Sequence, residues 1–112
     1  YLSNNSIKKI ESLENLSNLK KIELSYNQIG KIEGLQNLIE LQELYLDNNE
    51  LRKVENLNKL QSLIMLHLGR NKISEFRRES VEDLKNLNFI FLNENPLNQH
   101  SFEEYHKRLK FP

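Results

Sequence analysis

Three histidines, His67, His100 and His106, are the natural first candidates for metal or acid–base chemistry, and their spacing serves neither. Metal sites draw on ligands at short, characteristic spacings, which these histidines do not have, and structural sites usually on cysteine, of which this chain has none. Asp47-Asn48-Asn49-Glu50 opens like a calcium loop but lacks the glycine and the closing glutamate. Three glycines do not build a phosphate cradle, and no serine has a base at a recognisable interval. What remains is non-covalent chemistry. Glu23, Tyr45 and His67 stand 22 residues apart, and Phe91 follows after 24. Lys21, Glu43, Met65 and Phe89 repeat those intervals, as do Tyr26, Asn48, Arg70 and Glu94. Aromatic and Met side chains edged by charge are the composition of protein-contact surfaces. The candidate binding residues are therefore Glu23, Tyr26, Glu43, Tyr45, Met65, His67, Arg70, Phe89 and Phe91. No catalytic residue, metal ligand or cofactor is assigned.

The elements that would position these residues follow from a second series with the same period. Asn5, Asn27, Asn49, Asn71 and Asn95 are separated by 22, 22, 22 and 24 residues. Each sits in a frame Leu-x-x-Leu-x-Leu-x-x-Asn-x-Leu/Ile, as in Leu41, Leu44, Leu46, Asn49 and Leu51. The first copy keeps only Leu2, Asn5 and Ile7. Alternate side chains of a strand face opposite ways, so Leu44 and Leu46 point inward while Glu43 and Tyr45 point out. One repeat cannot bury its leucines alone; stacked neighbours share a continuous core. The Asn amide carries both donors and acceptors, and can satisfy backbone groups in the turn that follows each strand. These features specify an α/β leucine-rich-repeat solenoid, a horseshoe with a concave parallel sheet of about five short strands.

Between the ladder positions the chain reads Ile7, Ile10-Glu11, Leu13, Leu16, then Ile29, Ile32-Glu33, Leu35, Leu38, then Leu51, Val54-Glu55, Leu57, Leu60. This pattern resembles the 22-residue-repeat subclass that includes the leucine-rich-repeat regulatory subunit of protein phosphatase 1. The subclass also includes the spliceosomal A-prime protein and an axonemal dynein light chain. The resemblance covers essentially the whole chain. It implies a non-catalytic adaptor whose partner is a phosphatase catalytic subunit or a cytoskeletal or axonemal protein.

The period breaks twice. Two extra residues fall between Asn71 and Leu87, where Ser80 and Asp83 predict the start of a short helix. After Asn95-Pro96 comes Ser101-Phe-Glu-Glu104, a capping box that predicts a helix over 101–110 with Phe102, Tyr105 and Leu109 on one face. The repeats are thus assigned to residues 1–97, the first truncated, and a C-terminal cap to 98–112.

Sixteen basic and sixteen acidic residues cancel, which removes the electrostatic case for direct nucleic-acid contact. No apolar run approaches the ~20 residues of a membrane span. Without cysteine there are no disulfide-stapled caps, so an intracellular location is expected, cytoplasmic or nuclear, with a ciliary one open. A monomer is expected. The chain begins in mid-frame without Met and is read as a piece of a longer protein. Two other roles remain open, the targeting domain of a larger enzyme and a ribonucleoprotein component. A blander reading of the outward aromatics also stands beside the binding one. Such side chains suit strands anyway, and the C-terminal segment could shield Phe89 and Phe91.

Overall fold

The structure, a computed structural model, describes residues 5–108. Four three-residue strands form one parallel sheet in chain order: β1 Lys21–Glu23, β2 Glu43–Tyr45, β3 Met65–His67 and β4 Phe89–Phe91. The fifth strand expected at the start of the chain, with Leu2 and Tyr1, falls outside the described residues. Each strand turns its middle residue inward, so Ile22, Leu44, Leu66 and Ile90 line up in the core. The frame leucines on either side are buried with them, Leu19 only partly, and Leu41, Leu46, Leu63 and Leu68 are fully enclosed.

The ladder does what its chemistry implies. The Asn71 amide nitrogen donates to the carbonyls of Leu46 at 3.0 Å, Leu68 at 3.0 Å and Gly69 at 3.1 Å. Its oxygen accepts the Leu51 N–H at 2.9 Å. Asn49 repeats the set one turn earlier, donating to Leu24, Leu46 and Asp47 and accepting from Ile29. Each amide thus ties its own turn to the turn before it. Buried backbone groups that would otherwise lack partners are satisfied across the repeat boundary.

Turns on the far side close by backbone bonds three residues apart, as from Leu38 N–H to the Leu35 carbonyl at 3.0 Å. Gly34 sits at φ 73°, where a β-carbon would lie 2.9 Å from the Ile10 carbonyl oxygen. That position needs glycine for space as well as for conformation. Leu16 is 46% exposed while its counterparts Leu38 and Leu60 are at 0%, because only they are packed between repeats on both sides among the described residues.

Both breaks in the period come out differently from the local motifs. The extra residues make a one-turn 3-10 helix at Arg78–Ser80, so Ser80 ends a helical turn rather than starting one. Phe76, fully buried, draws this segment onto the core. At the C-terminus, helix α1 spans Gln99–Arg108. Its cap is Asn98, whose side-chain oxygen accepts the Ser101 N–H at 2.8 Å. Ser101 lies inside the helix, fully buried, and its hydroxyl accepts the Phe76 N–H at 2.8 Å. A tertiary demand for an acceptor has taken the serine away from the capping role. Phe102 faces solvent instead of the core, with His106 stacked on it at 4.1 Å, while Tyr105 packs inward on Phe76. Leu109 lies outside the described residues.

Candidate protein-binding face

Equal repeats and parallel pairing bring the outward residues into two rows. Glu23, Tyr45, His67 and Phe91 are lateral neighbours along one, and Lys21, Glu43, Met65 and Phe89 along the other. The two-residue insertion does not disturb this register, because it is absorbed before Leu87 on the opposite side. Phe89 is 50% and Phe91 39% exposed, so α1 leaves both open to solvent. Glu23, Glu43, Tyr45, Met65 and His67 are half-buried by one another.

The rings form a continuous tier. His67 lies 6.4 Å from Tyr45 and 5.1 Å from Phe91, centre to centre. Its Nδ1 accepts the Gly69 N–H at 3.2 Å, which holds the ring down on the turn. A β-carbon at Gly69 would come within 2.9 Å of that imidazole and 2.7 Å of the Asn93 side chain, so a larger residue there would displace both side chains.

The β1–β2 end is polar and internally bonded. Lys21 Nζ pairs with Glu23 at 3.1 Å and stands 5.4 Å from the Tyr45 ring centre. The Tyr45 hydroxyl donates to Glu43 at 3.0 Å. Partial burial, and then the neighbouring Glu43 carboxylate, push the Tyr45 phenol above its ordinary pKa. The hydrogen bond and charge of Glu23 hold the Lys21 ammonium above its own ordinary value.

Tyr26 and Arg70 are not on the strands. They occupy the turn that leaves the sheet, in a row with Asn48 and Glu94, and all four have φ between 53° and 59°. The row tolerates this left-handed backbone because successive repeats bond across it, as from Asn48 N–H to the Gly69 carbonyl at 2.9 Å. Tyr26, Asn48 and Arg70 line one shallow groove beside the sheet. The Arg70 guanidinium pairs with Glu94 at 3.1 Å.

The turn also carries contacts that sequence reasoning missed. The Ser25 hydroxyl donates to Asp47 at 2.6 Å, and Asn48 donates to the other oxygen of the same carboxylate at 3.0 Å. The signal was the column Ser25, Asp47, Gly69 and Asn93, each just after an inward leucine. Among the described residues no group of three or more His, Cys, Asp or Glu could hold a metal ion.

Residues 1–37 match the leucine-rich-repeat family, in two copies. No curated protein matches the chain significantly. Among solved structures it is similar to an internalin (InlF) from Listeria monocytogenes, with 30% identity and a TM-score of 0.80 over 90% of this chain and 29% of that one. An internalin C2 of the same species is 33% identical, with a TM-score of 0.75 over 86% of this chain and 42% of that one. The functional domain of InlJ from Listeria monocytogenes, which includes a cysteine ladder, is 26% identical with a TM-score of 0.69, over 83% and 19%. The chain spans less than half the length of each of these structures. Strand register, amide ladder and these likenesses agree that the chain has the leucine-rich-repeat fold, one that typically serves as a protein-interaction scaffold rather than an enzyme.

Proposed function

We propose that the outward face of β1–β4 is where this chain docks another protein, without catalysis of its own. The observation that carries this reading is the unbroken tier Tyr45–His67–Phe91, with Met65 and Phe89 alongside. A solvent-facing sheet surface ordinarily carries polar side chains, and a contiguous apolar patch there marks an interaction site. The tier is preorganised by ring contacts and by Gly69, so binding has little side-chain freedom left to remove. Resemblance to the 22-residue-repeat subclass supports a phosphatase catalytic subunit or a cytoskeletal or axonemal protein as the partner, and Glu43 and Tyr45 suit the acidic and aromatic grip expected for the first.

Tyr45→Ala, His67→Ala and Phe91→Ala should each weaken partner binding while leaving the fold intact, and a hot spot among them should cost at least about 2 kcal/mol, some thirty-fold in affinity. Arg77→Ala, on the opposite side, should leave affinity within about two-fold. Titration calorimetry against the two classes of partner decides the matter. Full affinity in the triple variant, with loss in Arg77→Ala, would place the site elsewhere.

A further inference from the structure

The face is divided, and the division describes what it would hold. On β1 and β2 the outward residues are Lys21, Glu23, Glu43 and Tyr45, and Asp47 follows at the margin, giving three carboxylates to one ammonium. On β3 and β4 they are Met65, His67, Phe89 and Phe91, with no acidic or basic side chain other than the imidazole. One end therefore favours a cation and the other an apolar group.

The architecture also restricts how a partner can lie. Each strand is three residues long and presents two side chains outward, so a segment running along a strand meets only one chemistry. Addition as a further strand beside β4 is blocked. The Tyr105 hydroxyl donates to the Ile90 carbonyl at 3.2 Å and accepts the Leu92 N–H at 3.3 Å, occupying backbone groups that a new strand would need. Only a segment crossing the strands touches both ends. Adjacent strands are about 4.8 Å apart, so β1 to β4 is roughly 14 Å. In an extended peptide alternate side chains share a face, and positions i and i+4 lie about 13 Å apart. The Tyr45–His67 ring step of 6.4 Å comes close to the roughly 6.6 Å between i and i+2, and the His67–Phe91 step of 5.1 Å is shorter.

We infer that the face accepts an extended segment of a partner protein lying across the four strands, with a Lys or Arg over Glu23 and Glu43 and a large apolar side chain four residues away over Phe89 and Phe91. The inference rests on the reading that this face binds protein, and gives that reading a ligand class. The side chain midway between the two sits over Tyr45 and His67 and needs only to be small enough to pass.

The test uses three synthetic nine-residue peptides in a serine background, followed by amide shifts of the 15N-labelled chain. One carries Lys and Phe four positions apart, the second has them adjacent, and the third has Glu in place of Lys. The first peptide should shift amides of β1–β2 and of β3–β4 together and bind at least ten-fold tighter than the other two. Glu43→Gln should remove the preference for Lys over Glu, and Phe91→Ala the preference for four-residue spacing; both side chains are solvent-facing, and circular dichroism checks that the variants fold. Equal binding of all three peptides on this face, or shifts confined to β3–β4, overturns the inference while the docking reading stands. Shifts located only on the opposite side, or no binding by any peptide, overturn the inference too. Calorimetry on the Tyr45, His67 and Phe91 variants then judges the docking reading separately.

Discussion

Asn71 shows what one side chain has to do in this molecule. Three carbonyls and one N–H depend on its amide, and it is 6% exposed. Asn71→Ala and Asn49→Ala should each cost about 1–3 kcal/mol, because the backbone groups left behind have no water to turn to. Leu46→Ala and Leu68→Ala should cost about 2–5 kcal/mol through the cavities they open. Lys31→Ala and Lys59→Ala, both exposed, should stay within about 0.5 kcal/mol. Urea melts give the ranking, and lysines above leucines would contradict the packing. Tyr45 adds a pH signature. Its raised phenol pKa means that the folded chain holds this proton more tightly than the unfolded chain does. The resulting stability is complete below the unfolded value of about 10 and drains away as the pH rises past it. Lys21 acts with the same sign. The stability gap between wild type and Tyr45→Phe should therefore narrow from pH 9 to pH 11, and a constant gap would mean that the phenol is not perturbed.

Strands were easier to foresee than helices. Short strands with alternating faces follow from the leucine spacing alone, and so does the neighbour relation of Tyr45 to His67 and Phe91; their length of three residues does not. The helices depended on contacts that no local motif contains. Ser101-x-x-Glu104 has the form of a capping box, yet the cap is three residues earlier, since the buried Phe76 N–H claims the serine hydroxyl. Glu104 turns to Arg78 at 3.7 Å, linking α1 to the 3-10 turn. These roles separate by mutation. Asn98→Ala should cost about 1 kcal/mol as a lost cap, with fraying confined to the first turn of α1. Ser101→Ala should cost about 1–3 kcal/mol and expose the Phe76 amide to hydrogen exchange. If Asn98→Ala leaves exchange in α1 unchanged, the capping assignment fails.

At the scale of the whole chain, stability is a sum over neighbours, since each repeat touches only the one before and the one after. That is why the core was legible from period alone, and why the sheet tolerated a 24-residue step. The turn contacts were not legible. The Ser25–Asp47 bond joins residues of different type in successive repeats, so no single repeat contains both halves. The Gly69 N–H that seats His67 lies within one repeat, but only that repeat has this pair of residues.

The amide ladder has one more consequence. Because every Asn asks of its predecessor only what every other Asn asks, one turn of the coil is interchangeable with the next. The chain can therefore gain or lose a whole repeat of 22 residues without asking anything new of the turns that remain. Excising residues 42–63 joins Leu41 to Ile64, sets β3 beside β1 and hands Asn71 the Leu24 carbonyl that Asn49 used to hold. The shortened protein should fold cooperatively with an unchanged strand signature and a urea m-value lower by about a fifth, in proportion to the surface removed. Cutting out half as many residues should leave a chain that cannot close its coil, and circular dichroism would tell the two apart.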